Sequence, residues 1–152
     1  VGYRLGETLP ESGAVSRAIC LRDDGGFLTG LEEVVAVERA GEHALRVESD
    51  GSRRQEPLDR LVSMNLWAFT PSLLDHLERG FRTFLTAEPG PKDEYYLPVA
   101  VAGAIAAGSA TVAVLDAGGR WCGMTSPEDR ETTARVLREL VDEGEYPERL
   151  WE

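Results

Sequence analysis

Val15-Ser16-Arg17-Ala18-Ile19-Cys20-Leu21-Arg22, then Asp23-Asp24-Gly25-Gly26, then Phe27-Leu28-Thr29-Gly30-Leu31, is the stretch that decides the fold class of this chain. Apolar and polar side chains alternate up to Arg22, the period of a strand with one buried face. Two aspartates and two glycines follow and supply the positive-φ positions of a tight hairpin. The run from Phe27 to Leu31 is therefore expected to return beside the first strand.

The flanking segments extend this β-rich start. Glu33 to Arg39 carries three valines and Ala36, Gly41 interrupts, and His43 to Glu48 alternates again before a second turn at Ser49-Asp50-Gly51-Ser52. Val1 to Leu5 reads as the interior of a strand, and Leu61 to Phe69 as a strand of nine residues. Helices are expected only afterwards. Thr70-Pro71-Ser72 offers an N-cap and a first-position proline, and Leu73, Leu74, Leu77, Phe81, Phe84 and Leu85 form one stripe of ordinary core packing ending near Thr86. A second helix follows Asp93-Glu94-Tyr95-Tyr96-Leu97-Pro98, runs to about Ala107 and stops at Gly108. Thr111 to Leu115 reads as a short buried strand and Arg120 to Met124 as its return. The last helix has Ser126 as N-cap, Pro127 at its first position, Ala134, Val136, Leu137, Leu140 and Val141 as its buried face, and Gly144 as its stop. The reading is a single α/β domain over residues 1–152, long enough to enclose a core.

Charge narrows the partners. With 27 acidic residues against 16 basic, the net charge of -11 repels nucleic acid and anionic lipid, and the longest basic cluster is Arg53-Arg54. No apolar run approaches the roughly 20 residues of a bilayer helix, so no membrane association is expected. Cys20 and Cys122 lack any C-x-x-C or Cys/His spacing and read as buried thiols of a reducing, cytoplasmic compartment, with a disulfide between them left open. His43 and His76 stand alone and read as surface residues. The signatures of phosphate loops, serine hydrolases and zinc proteases do not occur in the sequence.

Several short motifs, in order, carry a resemblance. Gly2-Tyr3-Arg4-Leu5, Gly13-Ala14-Val15-Ser16-Arg17, Val62-Ser63-Met64-Asn65-Leu66-Trp67, Glu94-Tyr95-Tyr96-Leu97-Pro98, Trp121-Cys122-Gly123-Met124-Thr125 and Tyr146-Pro147-Glu148-Arg149-Leu150-Trp151 span essentially the whole chain. Together they resemble the carboxyl-terminal half of nucleotidyltransferase-like proteins of the NDP-sugar pyrophosphorylase superfamily. The resemblance implies part of a twisted mixed β-sheet with flanking helices, from which the N-terminal nucleotide-binding half is absent. It implies a parent that joins a nucleoside triphosphate to a sugar phosphate with release of pyrophosphate. The expected cofactor is Mg²⁺, held mainly by the missing half, and the fragment alone is expected to be inactive. An exposed sheet edge and apolar face would make it self-associate or pair with that half.

The same resemblance implies site residues. Glu33 follows Gly26-Phe27-Leu28-Thr29-Gly30-Leu31-Glu32 where the superfamily has the glutamate of a Glu-Lys-Pro motif, which hydrogen-bonds sugar hydroxyls; Val34 takes the lysine's place. Asn65 corresponds to an asparagine opening a pocket-lining strand, with a bulge residue as its plain alternative. Glu94 is a further substrate-binding candidate or a helix-dipole partner, and Arg17 a phosphate clamp or the partner of an acid. Trp121 to Asp129 aligns with an ending whose first aspartate binds the second magnesium, but Gly123 stands there. Either Asp116 or Asp129 would then serve as a metal ligand or the missing half alone would hold the metal, and Asp129 also fits a first-turn acid behind Ser126. Two alternatives stay open: a non-catalytic binding or assembly module on the same fold, and a glycosyltransferase consuming an activated sugar.

Overall fold

The computed structural model describes residues 1–10, 13–48, 50–124, 127 and 129–149. The chain forms two compact units, Val1–Gly119 and Arg120–Glu152.

In the first unit the sequence periodicity becomes one antiparallel sheet. Its strands are β1 (Gly2–Arg4), β2 (Val15–Arg22), β3 (Leu28–Ala40), β4 (His43–Val47), β5 (Arg53–Glu56) and β6 (Leu61–Ser63), arranged β1-β6-β2-β3-β4-β5. The hairpin at Asp23–Gly26 forms where expected. Gly26 has φ 81°, and Asp23 accepts the Phe27 N–H through Oδ1 at 2.9 Å. β3 is longer than the sequence suggests, because the segments read as two strands run on as one.

The period of two sorts the side chains onto two faces. Ile19 pairs with Val62, and these two pack with Leu5, Val34, Val37 and Ala44 on the first face. Full burial of each leucine, isoleucine or valine side chain among them contributes about 1.5–3 kcal/mol. Cys20, Leu28 and Leu61 form the core of the second face, where Trp67, Ile105 and Val112 pack against them. Ile105 belongs to α3 (Leu97–Ala106), so that helix covers part of the second face. α3 stops at Gly108, whose φ of 65° lets its N–H reach Ile105 O at 2.9 Å while the Ser109 N–H reaches Ala104 O at 3.0 Å.

Several expectations need correction. The strand read from Val1 to Leu5 ends at Arg4, and Leu5–Thr8 is a single helical turn, α1. Hydrogen bonds from the Leu5 N–H to Arg60 O (2.7 Å) and from the Gly6 N–H to Leu58 O (2.8 Å) anchor this turn. The strand read from Leu61 to Phe69 stops at Ser63, and Asn65 with φ 57° takes the chain out of extended geometry. Thr111 to Leu115 does not form a regular strand. It pairs through the isolated bridge Ala113 to Phe27, and the Leu28 N–H donates to Val112 O at 2.7 Å. All strand pairings are antiparallel where a mixed sheet was expected; the one parallel pairing among the described residues is the bridge Gly2 to Asp116. β5 has no signal in its sequence Arg-Arg-Gln-Glu.

α2 (Ser72–Thr86) begins behind Pro71 as expected, but its stripe is not ordinary core. Leu73 is buried, whereas Leu74, Phe81 and Leu85 are about half exposed or more. Phe81 and Phe84 instead gather round Tyr95, each ring 5.7 Å from it.

In the second unit α4 runs from Asp129 to Asp142 and contains no buried residue among those described. Val136, Leu140 and Val141 are half-buried, and Ala134 and Leu137 are exposed. Its stop at Gly144 holds, with the Glu145 N–H bonded to Leu140 O at 2.9 Å. The Ser126 cap lies outside the described residues. Arg120 to Met124 forms no strand; there the Gly123 carbonyl accepts a hydrogen bond from Thr133 Oγ1 at 3.2 Å.

Candidate functional site

Strand register decides which of the expected site residues can act together. Ala18 on β2 pairs with Glu33 on β3 on one side and with Ser63 on β6 on the other. Directly paired residues point to the same face, so Glu33 and Ser63 flank Ala18 in one row on the second face. Two strand spacings separate them, roughly 9–10 Å. Asn65 follows immediately, with its N–H donating to Ser63 Oγ at 3.3 Å. Both Glu33 and Asn65 are exposed, and Trp67 packs against the apolar cluster of this face. Ser63 was not singled out from the sequence; only the pairing register reveals it.

Arg17 lies on the other face. It pairs with Val34, and its half-buried guanidinium donates from Nε to Thr8 Oγ1 at 3.0 Å, from another nitrogen to Thr8 O, and from a third to Ser16 O at 2.8 Å. Burial lowers its pKa from the ordinary arginine value. These bonds tie the end of α1 to β2, so Arg17 does not join the row of Glu33 and Ser63. Glu94 is exposed in the connection between α2 and α3. Val34 is 3% exposed inside the first-face core. A lysine ammonium at that position would point into apolar packing and away from the row.

Each metal candidate stands within its own unit. Asp116 is engaged by the Gly118 N–H at 3.0 Å and by Arg4 at 3.2 Å, and the N–H first, the guanidinium after it, hold its carboxyl below the usual aspartate range. Asp129 opens α4 as a first-turn acid. A Cβ at position 123 would stand 2.5 Å from the Trp121 ring, so an aspartate there would need the indole to move. No group of three His, Cys, Asp or Glu side chains that could hold a metal occurs among the described residues. These residues do not fit a magnesium site by themselves.

The most concentrated charge in the first unit was not foreseen. Arg46 on β4 is 6% exposed and meets Glu32 at 2.7 Å and Glu56 at 3.2 Å through its terminal nitrogens. Its Nε lies 2.8 Å from Glu48 Oε1 outside hydrogen-bonding geometry, so that contact is electrostatic, while a terminal nitrogen bonds Glu48 Oε2 at 3.2 Å. The bond from Arg46 holds the Glu32 carboxyl below its ordinary value, and the three carboxylates raise the arginine above its own. With its cation neutralised by carboxylates on the core face, this cluster has the chemistry of a structural tie. No helix among the described residues is long and apolar enough to cross a membrane. In comparisons with known proteins, the chain matches no protein-family model and no curated protein.

Proposed function

We propose that this chain supplies the sugar side of a nucleotidyltransferase-like pocket, with Glu33 and Asn65 binding hydroxyls of a sugar phosphate. The reading rests on the motif resemblance and on one observation: the register sets Glu33 and Ser63 in a row on one face, continued by Asn65. A carboxylate accepts from two hydroxyls, and an amide both donates and accepts. Trp67, packed on the same face, adds an apolar body of the kind that shields such bonds. The groups that activate a nucleoside triphosphate, a glycine-rich phosphate loop and magnesium carboxylates, belong in this reading to another segment. The chain alone then binds sugar phosphate and transfers nothing.

Titration calorimetry of the chain against a panel of sugar 1-phosphates and nucleoside triphosphates tests this. Sugar phosphate is expected to bind and nucleoside triphosphate alone to give no heat. Glu33→Gln and Asn65→Ala should each weaken sugar phosphate binding about tenfold, the worth of one good hydrogen bond to a charged or amide group. Arg17→Gln should leave affinity unchanged, because that side chain faces the other way. Absence of sugar phosphate binding would move the assignment to the second reading, a non-catalytic module on the same fold. That reading draws on Val34, which points into the core, and on Gly123, which brings no side-chain ligand.

Self-association belongs to the proposal. Leu74, Phe81 and Leu85 leave an apolar strip on α2, and exposed apolar area of this kind is normally covered in an assembly. Sedimentation is expected to show mass rising above the monomer with concentration, and Phe81→Asp should abolish the rise. A monomer at every concentration would remove this part of the reading.

A further inference from the structure

A cavity of about 540 Å³ lies between the start of α2, α3 and the segment from Ser109 to Leu115. That is within the range of about 300–1,000 Å³ that holds small organic ligands. Its floor is apolar and well packed: Leu73, Val101 and Ala104 are 8%, 1% and 1% exposed. Its rim is polar. Thr70 and Ser72, whose hydroxyls lie 2.8 Å apart, share it with His76 and Arg79, one turn apart on α2. The sequence reading placed His76 on open surface, whereas it is half-buried against this cavity.

Two observations set the sign of the ligand. Although 27 of 152 residues are acidic, no aspartate or glutamate among the described residues lines the cavity. Among the described residues Arg4, Arg46, Arg53, Arg82 and Arg120 pair with carboxylates, and Arg79 is one of several arginines that do not. The Arg79 guanidinium has no hydrogen bond or ion pair with any described residue. A guanidinium with no ion pair among the described residues, at the mouth of an apolar cleft beside an imidazole and two hydroxyls, is a ready counter-charge for an oxyanion.

We propose that this cavity binds a small organic anion, with its carboxylate or phosphate at Arg79 and His76 and its uncharged body on Leu73, Val101 and Ala104. The site is separate from the row of Glu33 and Asn65, neither of which lines it. The planar fork of Arg79 takes two oxygens of the anion, and the apolar floor rewards a ligand with a body over a bare ion.

The test is an amide chemical-shift titration of the full chain with phenyl phosphate, run beside inorganic phosphate and benzyl alcohol. Phenyl phosphate is expected to shift Thr70, His76 and Thr111 saturably, with a dissociation constant on the order of 1 mM or below. Inorganic phosphate and benzyl alcohol, each offering half of the ligand, should bind about tenfold more weakly or worse. Arg79→Gln should weaken phenyl phosphate about tenfold with the rest of the spectrum unchanged. Arg82→Gln, whose arginine is paired with Glu78, should leave binding intact. Shifts that do not saturate, that map away from the cavity, or that persist undiminished in Arg79→Gln would overturn the proposal.

Discussion

Arg46→Met is expected to cost the first unit about 3–5 kcal/mol, as read from urea denaturation, a large share of the roughly 5–15 kcal/mol that holds a domain folded. The substitution keeps the length and apolar stem of the side chain, so what it removes is charge. Glu56, at 5% exposure, then keeps a carboxylate on the core face without the guanidinium 3.2 Å away, and Glu32 and Glu48 stand beside it with the same sign. Desolvating an unpaired carboxylate costs more than the pair ever contributed. The double variant Arg46→Met with Glu56→Leu should therefore recover most of the loss. A single-variant loss below about 1 kcal/mol would reduce the cluster to a set of surface pairs. Acid should reproduce the effect in part. Because Arg46 holds the Glu32 carboxyl below its ordinary value, this carboxylate's contribution is fully present above the ordinary glutamate range. It fades as pH falls through the lower folded value. Arg46 itself stays charged throughout, its own pKa being raised. Acid unfolding of the Arg46→Met variant should correspondingly lose that component of its pH dependence.

How much of this was legible beforehand depends on whether the determining physics is local. The hairpin at Asp23–Gly26 and the helix stops at Gly108 and Gly144 were readable because a positive-φ glycine announces itself within a few residues. β5 was not, since Arg-Arg-Gln-Glu becomes a strand only by pairing with β4. Asn65 inside an apolar run looked like strand because periodicity cannot register one left-handed residue. Arg46 alternates in sequence with Leu45 and Val47, yet its partner Val37 is 1% exposed. Only the register shows that the polar member of that alternation points at the core. The site followed the same division. Glu33 and Asn65 were named by motif, while Ser63, in the row with Glu33 and bonded to Asn65, and the opposite facing of Arg17 came from pairing across strands distant in sequence. The apolar stripe of α2 was readable as a stripe, but its exposure depends on what packs against it, which no helical period contains.

The location of the core makes the second large prediction. Leu5→Ala is expected to destabilise by about 2.5–5 kcal/mol, whereas Phe81→Ala should cost less than about 1.5 kcal/mol despite removing a larger side chain. Leu5 is 0% exposed, carried inward by the turn of α1 to pack with Ile19, Val37, Ala44 and Val62. The backbone bonds to Arg60 and Leu58 hold that turn in place, so the cavity left by alanine cannot close by moving it. Phe81 is 46% exposed and touches mainly Phe84 and Tyr95, so truncation exposes little that was buried and leaves no enclosed void. Guanidinium melts of the two variants at low concentration, where association does not contribute, decide between the two placements. A loss at Phe81 equal to that at Leu5 would put the stabilising core on α2, as the spacing of its leucines and phenylalanines alone suggests. The expected order puts it between the sheet and α1 and leaves the α2 strip free to meet a partner.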